Sequence, residues 1–486
     1  MFDKLHEECG VFGIYGGPNS GDVATQAYIA LYALQHRGQE SCGIAINDDG
    51  LIRYHRDVGL VPEVFTREVL EKLGTGNMAI GHVRYSTMGN HSRTNAQPLV
   101  VRHIKGPMAL AHNGNLTNAV ELRKELEMEG AIFHSTTDTE VISYVITKQR
   151  LTARSIEEAV QSAMGRIQGA YSLVIMSPTK MIACRDPQGF RPLCMGRLGD
   201  SIVFASETCA LDGMGAKLIR EVEPGEIVVV SKKGIQSIRA YCGQKSALCV
   251  FEFVYFARPD SVIHGASVHK ARQRAGAMLA KEHPVEADVV IGVPDSGLDA
   301  ALGYSKESGI PYGVGFIKNR YIGRTFIQPT QGERENSVRI KINAMRETVE
   351  GKRVVMVDDS IVRGTTGGRI IGLLREAGAK EVHLRISAPP FKNPCYFGTD
   401  IDSRDKLIAC KLSVPEIAKL FGADSLGYLS VEGVSNIAEG ADCGFCVGCF
   451  TGEYPIPEPA ERPKDKFELR ISERKSEVGQ NVGAEL

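Results

Sequence analysis

Val354-Val355-Met356-Val357-Asp358-Asp359-Ser360-Ile361-Val362-Arg363-Gly364-Thr365-Thr366 is the stretch around which the chain organises itself. Its apolar start, with the preceding Arg353, predicts a buried strand. Two adjacent carboxylates stand where that strand ends, and ligands of open α/β sheets bind beyond the carboxyl ends of the strands. A short loop with Ser, Gly and two Thr follows, then a helix expected from about Gly367 to Ala377. Backbone N–H groups and hydroxyls in such a loop cradle a phosphate, and the helix N-terminus adds a favourable dipole. The carboxylates can accept hydrogen bonds from sugar hydroxyls or support Mg²⁺. A capped strand-to-helix turn would account for an isolated Asp-Asp pair, but not for the whole string.

The surroundings repeat the rhythm. Asp288 to Val293 reads as an apolar strand, a helix begins near Leu298, and Glu381 to Ile386 is another strand, which suggests a parallel α/β sheet. Gly292-Val293-Pro294-Asp295-Ser296-Gly297 is a tight turn after a strand, suited to pyrophosphate and Mg²⁺ contacts. Lys318 to Phe326 is cationic, with Arg320 and Arg324, and could close over a polyanion and stabilise a leaving pyrophosphate. Before about Tyr241 the pattern differs. Short glycine-punctuated strands (Cys9 to Tyr15, Met78 to His82, Met108 to His112, Ser172 to Met176, Ile202 to Ala205) and a few helices suggest a layered α+β domain. Val23 to Leu34 has helical spacing, and Thr137-Asp138-Thr139-Glu140 predicts a capping box.

With 486 residues the chain has room for two to four domains, and 43% hydrophobic against 24% charged residues excludes a mainly disordered protein. A formal net charge of −1 offers no global argument for nucleic acid. No apolar run reaches the ~20 residues of a spanning helix, and the polar N-terminus is no secretory signal, so the cytoplasm is expected and neither membrane nor nucleic acid is an expected partner. In such a chain 12 cysteines point to a metal centre, a catalytic thiol or buried small residues rather than disulfides.

One thiol, Cys9, heads a strand-like run. His82 to Thr87 carries Arg84, able to grip a carboxylate with two bonds. Ala111 to Leu116 reads as a strand ending in a polar turn, where the Asn113 amide and the Gly114 N–H could form an oxyanion hole. Asp138 could hold an ammonium group. A thiol, an oxyanion hole and two opposite clamps suit glutamine.

These segments resemble two families. The N-terminal set resembles the class II glutamine amidotransferases, N-terminal-nucleophile hydrolases in which a first-position Cys uses its own α-amine as base. The Asp-Asp loop resembles the signature of type I phosphoribosyltransferases, which use phosphoribosylpyrophosphate (PRPP). Their combination resembles the family of glutamine-dependent phosphoribosyl amidotransferases, from Cys9 to about Pro455. The resemblance implies a four-layer αββα glutaminase domain (9–241), then a phosphoribosyltransferase domain with a parallel sheet (250–452). A propeptide (1–8) precedes them and a partly disordered tail (453–486) follows. It implies catalysis by Cys9, Asn113 and Gly114, and glutamine binding by Arg84, His112 and Asp138. PRPP falls to Ser296, Lys318, Arg320, Arg324, Asp358, Asp359, Ser360, Arg363, Gly364, Thr365 and Thr366, with Mg²⁺ at Ser296, Asp358 and Asp359. The product would be 5-phosphoribosylamine, with ammonia channelled between sites. Feedback inhibition by purine nucleotides and a homo-oligomer, dimer or tetramer, are also implied. A PRPP-sensing regulator and an iron–sulfur redox protein are rival readings; the basic loop argues against the first, and the second lacks a further redox site.

Cys443-Gly444-Phe445-Cys446-Val447-Gly448-Cys449 has spacing that supports Zn²⁺ or an iron–sulfur cluster. One form of the resembled family carries a [4Fe–4S] cluster and a propeptide. Its ligands fall on Cys249, Cys395, Cys446 and Cys449, leaving Cys443 as a surplus candidate and Cys410 and Cys242 as weaker alternatives.

Overall fold

A computed structural model describes residues 9–17, 20–85, 93–319, 342–364, 367–399, 401 and 403–459. Arg320, Arg324, Thr365, Thr366, the 1–8 segment and residues 460–486 of the expected tail lie outside the described residues.

The first half is built on two antiparallel sheets. One has seven strands, in the order Lys217–Glu221, Cys194–Leu198, Ser201–Ala205, Gly10–Tyr15, Met78–Arg84, Ser41–Asp48, Leu51–Val58. The other has six: Gly234–Ile238, Ile227–Ser231, Lys180–Arg185, Gly169–Met176, Gly106–Leu116, Leu99–His103. Period-two alternation gives each central strand two apolar faces. Val11, Ile80, Ala109, Ala111 and Val174 meet between the sheets. Phe12 and Ile14 turn outward to the Val23–Ala33 and Thr208–Met214 helices. Leu110 and Leu173 turn outward to helices Ala119–Met128, Asp138–Thr152 and Ile156–Met164. Helix, sheet, sheet and helix make four layers, the αββα arrangement.

The second half holds a parallel sheet in the order Val289–Gly292, Arg353–Asp358, Glu381–Ile386, Ser425–Tyr428. Helices Val268–Glu282, Gly297–Ser308 and Gly367–Glu376 accompany it. The two halves share one core: Ala170 and Phe190 of the first pack with Phe251, Phe391, Phe397 and Phe450 of the second. The Phe190 and Phe397 rings stack with centroids 4.2 Å apart.

Two local expectations are corrected. The polar turn expected within Ala111 to Leu116 is absent; Gly106–Leu116 is one continuous strand, paired through Leu116↔Gly169. Asn113 and Gly114 look like turn residues, yet both sit in the ladder. Thr137 does precede the helix, but its side chain makes no cap bond. The Glu140 carboxylate instead accepts from the backbone N–H groups of His134 (3.1 Å) and Ser135 (2.7 Å), because the bent segment before the helix carries amides that need an acceptor.

Candidate active site

At the N-terminal site, Cys9 is buried at the end where Gly10 pairs with Val83. Its thiol donates to the Tyr85 carbonyl at 3.3 Å, and its own carbonyl accepts from Arg37 Nε at 3.0 Å. Alternation places Arg84 on the inter-sheet face with Ile80, and Asn113 on the facing side with Ala109 and Ala111. Arg84 is 3% exposed, with Glu40 at 3.8 Å. Asn113 is 1% exposed, and neither its Oδ1 nor its Nδ2 has a partner. A buried amide forgoing both bonds is costly unless a ligand completes it.

Gly114 has φ +146°, and a Cβ there would stand 2.0 Å from the Ala170 carbonyl oxygen, so only glycine lets the two strands approach. His112 points the other way. Its imidazole faces Thr139 Oγ1 (3.3 Å) and Asp138 Oδ1 (3.4 Å), on the helix side. Asp138 accepts from the Leu116 N–H at 2.9 Å. Burial pushes the Asp138 carboxyl up, but His112 and the Leu116 and Thr139 amides outweigh it and hold it below its ordinary value. The structure thus brings Cys9, Arg84, Asn113 and Gly114 to one end of the sandwich. The His112 imidazole is turned from it.

Three contributors were not singled out in the sequence. His82 Nε2 donates to the His112 carbonyl at 2.9 Å, bridging the sheets one residue before Asn113. Burial pushes His82 down to about 3, so it stays neutral. The Gln97 carboxamide accepts from the His112 N–H at 2.8 Å. Arg37 holds the Cys9 carbonyl.

At the second site the acid pair divides. Asp359 is fully buried; Ser296 Oγ and Ser360 Oγ (2.5 Å) both donate to it. Asp358 is half-buried at the strand end and accepts the Asp359 N–H at 2.9 Å. The Ser296 turn packs against this end: Val293 N–H donates to the Val357 carbonyl at 2.9 Å, and a Cβ on Gly297 would stand 2.5 Å from the same oxygen. Lys318 Nζ reaches Asp295 at 2.5 Å across the turn. Gly364 has φ +84°, and the Gly367–Glu376 helix opens just beyond the loop that carries Arg363. Ser296, Asp358, Asp359, Ser360, Arg363 and Gly364 therefore gather at the carboxyl ends of two parallel strands.

The cysteines are all free thiols. Leu248–Cys249 pairs in parallel with Phe445–Cys446, setting Cys249 opposite Cys446. Cys249, Cys395, Cys446 and Cys449 line one small cavity, walled by Phe190, Phe251, Phe391, Phe397 and Tyr454. Burial pushes Cys446 up to about 12 and Cys449 well above the ordinary thiol value. Cys443 does not line the cavity; it neighbours Arg185 and Glu221, and burial pushes it up to about 11. Cys410 is exposed, and Cys242 belongs to neither group. Among the described residues, the one trio of His, Cys or carboxylate ligand atoms within 4.8 Å of one another is His36, Glu207 and Cys209. Glu207 there is already taken by Arg37 (2.6 Å) and Ser261 (2.7 Å), which leaves no room for a cation.

Two family models match the chain: a glutamine amidotransferase domain over residues 82–213 and a phosphoribosyl transferase domain over 266–422. Fold and sites define a two-domain enzyme of the glutamine-dependent phosphoribosyl amidotransferase class. The chain is 50% identical to the amidophosphoribosyltransferase of Archaeoglobus fulgidus, over 93% of this chain and 99% of that protein. It is 50% identical to that of Bacillus subtilis, over 93% and 94%. A solved glutamine PRPP amidotransferase from B. subtilis, complexed with ADP and GMP, superposes with a TM-score of 0.85 at 49% identity, covering 92% of this chain and 97% of that one. The chain belongs to the amidophosphoribosyltransferase family, whose reaction, glutamine-dependent amidotransfer to PRPP, belongs to purine biosynthesis. Among the described residues no helix is long and apolar enough to cross a membrane.

Proposed function

We propose that the chain's two sites divide this reaction, with Cys9 as nucleophile once Met1 to Glu8 are removed. The freed α-amine takes the thiol proton, and sulfur bonds to the side-chain carbonyl carbon of glutamine. The Asn113 amide and Gly114 N–H donate to the oxyanion. Arg84 grips the substrate carboxylate; Asp138, which accepts the Leu116 N–H at the end of the oxyanion strand, takes its ammonium group, while His112 contributes through its backbone. The C–N bond breaks, the α-ammonium returns its proton to the leaving nitrogen, and water later hydrolyses the thioester to glutamate. Ammonia then crosses to the second site and bonds to C1 of PRPP as the bond to pyrophosphate breaks, giving 5-phosphoribosylamine. Asp358 accepts from the ribose hydroxyls, and Ser360 to Thr366 cradle the 5′-phosphate. Ser296, Lys318, Arg320 and Arg324 attend the pyrophosphate.

The hard oxygens of Ser296, Asp358 and Asp359 suit Mg²⁺, which would balance pyrophosphate charge. Cys249, Cys395, Cys446 and Cys449 suit a sulfur-ligated centre, which would staple the C-terminal segment to the rest. Four thiols on one aromatic-walled cavity match the four-cysteine ligand set of a [4Fe–4S] cluster, the centre this reading assigns to them. Purine nucleotides as feedback inhibitors accord with the B. subtilis relative solved with ADP and GMP. A cytoplasmic homo-oligomer completes the reading.

The carrying observation is the unpartnered Asn113 amide, which faces the sheet that carries Arg84 across the sandwich. The test is intact mass of the active enzyme together with glutamate and pyrophosphate release. Loss of eight residues is expected, with abolition of glutaminase by Cys9→Ala and a fall of roughly 10²–10³ in kcat for Asn113→Ala. An active enzyme that retains Met1 would overturn the nucleophile.

A further inference from the structure

Arg37 is fully buried, 28 positions from Cys9 in sequence, and its guanidinium uses every edge. Nε donates to the Cys9 carbonyl at 3.0 Å. The two terminal nitrogens donate to both oxygens of Glu252 at 2.9 Å each, and one also to Glu207 at 2.6 Å. Glu252 comes from the other half of the chain. It opens a single π-helical turn, Glu252–Phe256, three residues after Cys249. Arg272 donates to the Phe253, Tyr255 and Ala257 carbonyls at 2.7–3.0 Å, tying that turn to the helix packed against Gly297–Ser308.

A second path runs in parallel. Arg191 meets Glu252 at 3.4 Å and donates to the Phe397 carbonyl at 2.7 Å, two residues from Cys395. Beside it, Asn115 Nδ2 donates to the Tyr396 carbonyl at 2.8 Å, and a Cβ on Gly398 would lie 3.6 Å from Gly114 Cα. The carbonyl of the nucleophile and the strand of the oxyanion donors are both held by segments that flank Cys249 and Cys395. Two arginines and two carboxylates balance in charge within this buried group, and a bidentate pair fixes direction as well as distance.

We propose that Glu252, acting through Arg37, with Arg191 beside it, is a positioning residue of the glutaminase site supplied by the phosphoribosyl half of the chain. Such a bridge holds the Cys9 main chain in register with the Gly114 strand and makes the nucleophile's geometry depend on the Cys249 and Cys395 segments. This rests on the reading of Cys9 as nucleophile.

The test uses the full-length enzyme and reads glutaminase kcat and KM, ammonia-dependent pyrophosphate release and metal per chain. Glu252→Gln is expected to lower glutaminase kcat on the order of 100-fold, as for a displacement of about 1 Å in an active site. KM for glutamine, ammonia-dependent turnover and metal content should each stay within about threefold, and Glu252→Asp should recover part of the loss. Should Glu252→Gln not fold, the charge-balanced pair R37Q/E252Q and Asn115→Ala, which leaves every buried charge paired, decide by the same readouts. Glutaminase within about threefold of wild type in the folded variants overturns the proposal. So does a parallel fall of glutaminase, ammonia turnover and metal, which marks a merely structural bridge. Cys9→Ala separates the two readings: if it retains glutaminase, the nucleophile assignment fails; if it is inactive and Glu252→Gln is not impaired, only the bridge fails.

Discussion

Gly114→Ala tests the oxyanion strand most directly. The new Cβ would lie 2.0 Å from the Ala170 carbonyl oxygen, 2.6 Å from its carbon and 3.0 Å from Tyr171 Cα. All three are backbone atoms of the neighbouring strand, so no side chain can swing away. Ordinary contact begins near 3.4 Å, and relief therefore asks the Gly106–Leu116 strand to move about 1.4 Å at this point. A shift of that size in a catalytic donor costs about 10²-fold in kcat. Alanine at φ +146° adds roughly 1–3 kcal/mol of backbone strain. Gly130→Ala is the control, because Gly130 has φ +94° but nothing within 4 Å of its Cβ position. The assay is glutamate release from glutamine beside ammonia-dependent pyrophosphate release. Gly114→Ala should lose about two decades of the first and keep the second, and Gly130→Ala should keep both. Full glutaminase activity in Gly114→Ala would refute the placement of the oxyanion donors on this strand.

Burial holds His82 at about 3 against an ordinary 6.5, so the unfolded chain binds the extra proton between those values and stability falls as pH drops through that window. Between pH 7 and pH 5 this group should cost about 2 kcal/mol, and His82→Gln should flatten that part of the denaturation-midpoint profile. Asp358→Asn should lower kcat/KM for PRPP roughly 10- to 100-fold with ammonia as nitrogen donor, while Asp359→Asn, at a fully buried carboxylate, should also lower the unfolding temperature. Metal analysis should show full content in Cys443→Ala and loss in Cys449→Ala, since only the second lines the aromatic cavity.

The sequence by itself determined the elements whose signals are local. The run from Val354 to Thr366 carries its own strand, acid pair and loop, and the strand ends at Asp358 as its pattern requires. The strand at Glu381–Ile386 and the helices near Val23 and Gly367 were equally legible, because hydrophobic period is a property of neighbours. The C-x2-C spacing likewise announced a thiol site before any fold was drawn.

Tertiary structure alone decided which faces and partners those elements took. His112 and Asn113 are adjacent, so strand alternation sends one toward Asp138 and the other toward the inter-sheet face, and which goes where depends on how two sheets stack. The turn expected at Asn113 and Gly114 became a ladder because a partner strand closed on the glycine, an event 56 residues away in sequence, at Ala170. The Thr137 box failed because amides at His134 and Ser135 competed for Glu140. Cys443 and Cys446 share one motif, yet only Cys446 pairs opposite Cys249. Arg37 and Glu252 meet across 215 positions, and no periodicity encodes such a contact. Local physics writes the elements, whereas a buried charge or a missing Cβ acquires its meaning only from what packing brings against it.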